Sequence, residues 1–318
     1  MPRRWLSGGH RQTIASFLLP RRFDLPTPEV RMIEVAPGIQ VLCHCHWQAD
    51  RTKPLTIIIV HGLEGSSESQ YALGVTEKAL AAGMNVIRYN QRNCGGTDAL
   101  APVLYHSGLS DDVAAVAREF IRRDRISQLA LVGFSMGGNL VLKLAGEWGS
   151  NGPSQFRAVV ACCPSMDLAA SADSLHEPAN RLYEMYFLFN LRRRMIRKAS
   201  LFPAHFDVDR MRGMRSLRDF DHQVTAYYCG FKSADDYYAR ASASNVIDKI
   251  SVPALIVHAA NDPFIRILPE TRRKIAANAN IQFVETEDGG HCAFVGRRNG
   301  QDNGFWAETQ LVNFLSGL

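Results

Sequence analysis

Long apolar runs are missing from this sequence of 318 residues. No window of about 18 or more uninterrupted apolar residues occurs, so we predict no membrane-spanning helix. The start is basic at residues 1–5, but Gly8, Gly9 and His10 interrupt the apolar run that a secretory signal needs next. These absences favour an intracellular, cytoplasmic protein.

Cysteine is scarce, and its count is odd. The seven cysteines follow no regular spacing, and Cys162 and Cys163 are adjacent, which seldom allows a bridge between them. We therefore expect reduced, mostly buried thiols. The excess of basic residues is also small, with a formal net charge of +5, and it does not favour a nucleic-acid-binding protein.

A metal site is the alternative raised by the segment Cys43–His46, in which two cysteines alternate with two histidines. The segment falls in a predicted hairpin of strands at residues 30–35 and 39–47. Side chains alternate between the faces of a strand, so the cysteines point one way and the histidines the other. Four ligands cannot converge from there, and we predict neither a metal ion nor a cofactor.

Apolar runs alternate with amphipathic segments over the first half of the chain and again near its end. This order predicts a parallel, doubly wound sheet with helices on both faces. The predicted strands after the hairpin are residues 55–60, 85–89, 129–134, 158–162, 253–259 and 281–285, and the clearest helices are 68–82, 111–125, 270–277 and 303–315.

Residues 165–240 break this alternation. They contain no strand-like run and are rich in aromatic residues and arginine, above all at 183–198. We predict a helical cap over the carboxyl edge of the sheet, where ligands bind in such folds. The core would then comprise residues 1–164 and 241–318. The cap side chains either line an acyl pocket, pack within the cap, or make weak contact with a membrane surface.

A G-x-S-x-G motif at residues 133–137 stands between a predicted strand and a helix-like segment. This pattern is typical of a nucleophile elbow, a tight turn that lifts the Ser135 hydroxyl above the sheet. Glycines at 133 and 137 leave room for the strand and the helix to approach each other. We expect Ser135 to be a nucleophile.

A second turn, His61-Gly62-Leu63, ends the predicted central strand upstream of the elbow. Donors for an oxyanion hole come from this position in such an arrangement. We expect the backbone N–H groups of Leu63 and Met136 to be the donors. His61 is expected to bond backbone near the turn and is not assigned as a base.

Asp262 and His291 each follow a later strand, which places them at the same sheet edge as Ser135. A serine hydroxyl needs an imidazole to take its proton, and the imidazole needs a carboxylate to fix its tautomer. The chain order Ser, Asp, His is that of α/β-hydrolases. The alternatives for the carboxylate and the imidazole are Asp235, Asp236, Asp288 and His258.

Six motifs carry a family resemblance: residues 8–13, 61–66, 92–96, 133–139, 260–264 and 289–291. With them the chain resembles, over nearly its whole length, the α/β-hydrolase group of YheT-type hydrolases, embryogenesis-associated proteins and yeast medium-chain acyltransferases. The resemblance implies a Ser-Asp-His triad acting on short- or medium-chain acyl esters, and it gives meaning to the amino-terminal arm, which is otherwise irregular. Asn261 departs from the family, where an acidic residue often stands, and little consequence is expected.

We therefore expect an α/β-hydrolase fold and a serine hydrolase that cleaves short- to medium-chain carboxylic esters through an acyl-enzyme. The partner would be a small-molecule acyl ester, and the protein a monomer or small homo-oligomer. An alcohol O-acyltransferase with the same acyl-enzyme and a non-catalytic binding protein are the alternatives. An aspartate-nucleophile enzyme is disfavoured because the elbow carries Ser135.

Overall fold

A computed structural model describes residues 6–298 and 303–318. In this part of the chain a single sheet has the strand order β1-β2-β4-β3-β5-β6-β7-β8, in which β1 and β2 are antiparallel and β3 to β8 run parallel. The strands are β1 (Glu29–Ala36), β2 (Ile39–His46), β3 (Thr56–Val60), β4 (Asn85–Tyr89), β5 (Leu129–Phe134), β6 (Phe156–Cys162), β7 (Ala254–Ala259) and β8 (Ile281–Thr286).

Helices cover both faces of this sheet, as predicted. Apolar residues of α3, α4 and α10 pack on one face, and those of α2 and α11 pack on the other. The helices are α1 (Gly9–Leu18), α2 (Gln70–Ala81), α3 (Ser110–Asp124), α4 (Met136–Trp148), α5 (Leu168–Leu175), α6 (Arg181–Leu201), α7 (Leu217–Phe220), α8 (Ala226–Cys229), α9 (Ala234–Ala241), α10 (Pro269–Ala277) and α11 (Trp306–Ser316).

The central strands have the burial that their composition predicts. Every residue of β3, β4, β5 and β7 is buried, and most of these side chains are β-branched or otherwise apolar and face helices on both sides. The polar exceptions include Asn85 and Arg88 of β4, which are buried through side-chain hydrogen bonds. In the register, Val60 of β3 lies opposite Gly133 of β5. The turn after β3 and the elbow after β5 therefore meet at one edge.

Helices α5 to α9 fill the stretch between β6 and β7, where the described chain contains no strand. A one-turn π-helix, Asp221–Thr225, joins α7 to α8. Leu188, Leu191 and Met195 of α6 form an apolar cluster with residues of the following segments. The predicted division at residues 164 and 241 stays a prediction, and the structure places these helices beside the carboxyl edge.

The amino-terminal arm differs from the prediction, because residues 9–18 form helix α1 rather than an irregular segment. Gln12 is its only buried residue. A helix whose buried face is polar shows no apolar periodicity in the sequence, which is why the prediction was wrong. No helix of the described residues is long and apolar enough to cross a membrane.

Candidate active site

Ser135 lies at the tip of a strained turn between β5 and α4. Its φ of 54° is in the left-handed region, and its N–H donates to the Cys162 carbonyl. A Cβ on Gly137 would lie 2.2 Å from the Val60 carbonyl oxygen, and one on Gly133 would lie 2.3 Å from the Gly137 carbonyl oxygen. Both glycines are therefore needed for the strand and the helix to approach, as the motif predicts.

The turn after β3 touches this elbow. A Cβ on Gly62 would lie 3.2 Å from the Ser135 Cβ atom. On either side of Leu63, the N–H groups of Gly62 and Glu64 are engaged by tyrosine hydroxyls at 2.9 and 3.0 Å. The hydrogen bonds of the described residues leave the N–H groups of Leu63 and Met136 without a protein acceptor.

His61 is buried beneath this turn. Its Nδ1 lies 2.8 Å from the Gly62 carbonyl oxygen, and its Nε2 accepts the N–H of Gln91 at 3.2 Å. Burial lowers the pKa of His61 to about 4, so the ring is neutral near pH 7. With both ring nitrogens engaged by backbone, His61 has the structural surroundings expected of it.

Asp262 and His291 are brought into direct contact after β7 and β8. His291 Nδ1 donates to Asp262 Oδ2 at 2.8 Å, and Asp262 Oδ1 accepts the N–H groups of Phe264 and Ile265. Burial opposes charge on the imidazole, but the adjacent Asp262 carboxylate outweighs it and raises the His291 pKa. The same pairing overcomes the effect of burial on Asp262 and lowers its pKa.

The other ring nitrogen of His291 faces Cys292, whose Sγ lies 3.9 Å from Nε2. Burial raises the pKa of the Cys292 thiol well above its usual value, so the thiol is neutral. The Phe264 ring packs on the imidazole with centroids 4.4 Å apart. Among the described residues, the hydrogen bonds do not include one from Ser135 Oγ to Nε2. Such contacts commonly tighten only when substrate binds.

The structure gives the alternative residues other surroundings. Asp288 accepts the N–H of Gly8 and the side-chain amide of Asn261. Asp235 pairs with Arg218 at the surface, and Asp236 holds the start of α9. His258 lies within β7, and its Nδ1 is buried without a partner in the described chain.

Sequence reasoning missed the residues that hold the His291 loop. Thr13 Oγ1 accepts the His291 N–H at 2.9 Å, and the Gln12 side chain bonds both the N–H and the carbonyl of Val295. Asn261 Oδ1 accepts the N–H groups of Gly289 and Gly290. Residues 8–13 form one of the motifs that carry the family resemblance. No periodic pattern in the sequence, however, links them to a loop about 280 residues away.

A cavity opens between the elbow and the helices over it. Ser135, Leu63 and Met136 lie in its wall, and most of the remaining wall is apolar. The apolar lining comes chiefly from Leu104, Leu168, Leu175, Phe187, Leu191, Met195, Phe220, Phe264 and Ile265. The site therefore joins a polar floor to an apolar compartment, the usual form of a small-molecule site.

Arg194 of α6 connects the cavity wall to the turn after β3. Its Nε donates to Glu64 Oε1 at 2.8 Å, and the Tyr105 hydroxyl donates to the same oxygen at 2.6 Å. Glu64 needs such support because its φ of 56° is in the left-handed region. A cap helix thus fixes the residue next to Leu63.

Fold and site together define an α/β hydrolase. The family described as "alpha/beta hydrolase fold" matches residues 56–297, and the chain belongs to that family. The Escherichia coli protein YheT is 30% identical over 99% of this chain and 92% of its own length. The resemblance to YheT-type hydrolases is therefore confirmed.

A more distant relative and a solved structure agree with this class. The mouse (Mus musculus) phospholipase ABHD3 is 29% identical over 77% of this chain, which spans 59% of that protein. The Pyrococcus furiosus esterase Pf2001 has the same fold, with a TM-score of 0.61 over 94% of this chain and 98% of that one, at 15% identity. The chain stands among the esterase- and lipase-type members, so the prediction of an ester hydrolase is confirmed at the level of class.

Proposed function

We propose that the protein hydrolyses carboxylic esters with Ser135 as nucleophile, His291 as general acid and base, and Asp262 as the carboxylate that orients the imidazole. The observation that carries this proposal is the buried Asp262–His291 pair at the same sheet edge as a strained serine elbow. Backbone strain opposes stability, and a buried carboxylate–imidazole pair with shifted pKa values is typical of sites kept for chemistry.

The chemistry follows from these positions. Ser135 Oγ attacks the ester carbonyl carbon while His291 Nε2 takes its proton, and Asp262 stabilises the resulting imidazolium. The Leu63 and Met136 N–H groups stabilise the negative oxygen. The imidazolium then protonates the departing alcohol, which leaves the acyl group on Ser135. Water, deprotonated by His291, attacks the acyl-enzyme and releases the acid.

The apolar cavity supports a substrate whose acyl group is of short or medium length, with that group bound in the cavity. Its apolar wall removes such a chain from water, at roughly 0.8 kcal/mol for each buried methylene. The named activities of the relatives, a phospholipase and an esterase, support the same class of bond. A series of p-nitrophenyl esters of increasing acyl length measures the chain length at which kcat/KM stops rising.

Ser135→Ala tests the proposal. We expect turnover of p-nitrophenyl butyrate to fall by about 10⁴-fold or more, as when other triads lose a member. A fluorophosphonate probe should label the natural protein at Ser135 and leave the variant unlabelled. Ser127→Ala, an exposed serine outside the site, is the control. Full turnover by Ser135→Ala would contradict the proposal.

Product analysis with added ethanol separates hydrolysis from acyl transfer, since only the attacking group differs. Under the proposed hydrolysis, ethyl ester stays at the uncatalysed background. Ester formation well above this background would assign the protein as an alcohol O-acyltransferase with the same acyl-enzyme.

A further inference from the structure

Two neighbouring helices expose an unusual amount of apolar surface beside the cavity. Phe17 and Leu18 of α1 are 67% and 70% exposed, and Leu182 of α6 is 78% exposed. A contiguous patch of this kind on a monomer commonly marks an interaction site. The face, here called the α1–α6 face, consists of Ile14, Phe17, Leu18, Leu182, Met185, Tyr186 and Phe189, all exposed.

The two helices form one surface. Phe17 packs edge-on against Tyr186 with centroids 5.7 Å apart, and His10 stacks on Tyr183. Along α6 the exposed apolar residues recur every three or four positions, which puts them on one stripe of the helix. The opposite side of α6 packs against other residues of the cap. The exposed stripe is therefore left uncovered by the described residues of the chain.

Arginines border this face. Arg11 lies one turn from Ile14 on α1, and Arg193 lies one turn from Phe189 on α6, with its guanidinium 5.5 Å from that ring. Both arginines are exposed, and neither pairs with a carboxylate in the described parts of the chain. Apolar and aromatic residues beside unpaired arginines are typical of helices that lie in a lipid interface.

We propose that the α1–α6 face binds the surface of an anionic phospholipid bilayer. The apolar side chains would enter the acyl boundary while the arginines contact phosphate groups. A second copy of the chain fits less well, because a two-fold contact through this face would enclose the unpaired arginines of both copies in one interface, with no carboxylate on the face to pair with them.

The position of the face gives this binding a consequence. Tyr183 and Phe187 lie on the same helix, and both pack against Phe264, which covers the His291 ring. The cavity wall is therefore continuous with the α1–α6 face. An acyl ester dissolved in the bilayer would reach the cavity without crossing bulk water.

Vesicle binding tests the proposal in the Ser135→Ala variant, so that its outcome is independent of the proposed ester chemistry. We expect this protein to co-sediment with phosphatidylcholine vesicles that contain phosphatidylglycerol and to bind pure phosphatidylcholine vesicles more weakly. Phe17→Ser with Phe189→Ser should weaken binding by about tenfold or more. Arg11→Gln with Arg193→Gln should remove most of the preference for phosphatidylglycerol.

Val30→Ser is the matched control, because Val30 is 60% exposed on β1 at the opposite edge of the sheet. Thermal unfolding should be nearly unchanged in every variant, since the altered side chains are exposed. Equal binding by the phenylalanine pair and the control would overturn the proposal. An absence of vesicle binding would also overturn it. A dimer, seen by ultracentrifugation, that the phenylalanine changes dissociate would then assign the face to a second copy of the chain.

Discussion

Backbone strain is concentrated around the reacting groups. Glu64, Ser135, Cys163 and Cys292 have φ values of 56°, 54°, 43° and 55°, although none of them is glycine. Each such residue costs on the order of 1–3 kcal/mol. The cost is tolerated where hydrogen bonds hold the turn, as Arg194 and Tyr105 do for Glu64. At the scale of single residues, the site is thus a set of strained turns with external supports.

Asp262→Asn should move the acidic limb of the kcat/KM profile to lower pH as well as reducing kcat. Activity requires neutral His291, and the Asp262 carboxylate favours the protonated imidazole, so the limb of the natural protein should lie above pH 6.5. With a neutral amide at 262, burial dominates and lowers the His291 pKa. The profile is measured with a p-nitrophenyl ester in both proteins; a limb that stays in place would contradict this pairing.

Thr13→Ala should lower kcat by about tenfold, because the His291 N–H loses its acceptor and the loop loses a fixed position. KM should change little, since Thr13 is not part of the cavity wall. Thr13→Ser retains the hydroxyl and should restore kcat, which a merely space-filling role would not predict. Steady-state kinetics of the two variants decide this; equal kcat in Thr13→Ala and the natural protein would contradict a positioning role.

At the scale of elements, prediction from sequence succeeded where one face of an element is apolar. Strand β3 was predicted from its β-branched run, and helix α3 from its amphipathic pattern. The elbow was predicted from the spacing of its glycines. Helix α1 was missed because its contacts with the core are made by the polar side chains of Gln12 and Thr13, which bond a distant loop. Polar contacts between segments far apart in sequence leave no periodic pattern.

Asn261 shows the same limit at the site itself. The family resemblance suggested little consequence from an amide at this position. In the structure the amide accepts two loop N–H groups and also donates to Asp288 at 2.8 Å. A carboxylate could not make that donation. This dual role depends on the folded loop, so it cannot be predicted from the sequence motif.

Arg194→Met should lower kcat by about tenfold to a hundredfold through the turn that carries Leu63. Without the guanidinium, Tyr105 is the one side-chain donor left to Glu64 among the described residues, and the strained turn loses one of its two supports. Arg197→Met is the matched control on the same helix, because Arg197 is exposed and its carboxylate partner in the described part of the chain is Asp98. Both variants are compared with one p-nitrophenyl ester, and equal kcat values would contradict a role for the cap helix in the oxyanion turn.

At the scale of the whole molecule, three helices outside the sheet are tied to the site or to its cap by polar groups. The amino-terminal helix holds the His291 loop, and α6 holds the turn after β3. A third connection is Asn139 on α4, which joins the elbow helix to the point where the chain returns from the cap. These connections let one apolar cavity form between parts of the chain that are distant in sequence.

Asn139→Ala should lower the free energy of unfolding by about 3 kcal/mol, although Asn139 does not line the cavity. Its fully buried amide donates to the Ser107 and Ala241 carbonyls and accepts the N–H of Ala243, and alanine leaves all three backbone groups without their partner. Urea unfolding followed by tryptophan fluorescence measures the loss. Asn190→Ala, which removes an exposed bond within α6, should change stability by no more than about 0.5 kcal/mol. An Asn139→Ala protein as stable as that control would show that these three hydrogen bonds contribute nothing to the free energy of unfolding.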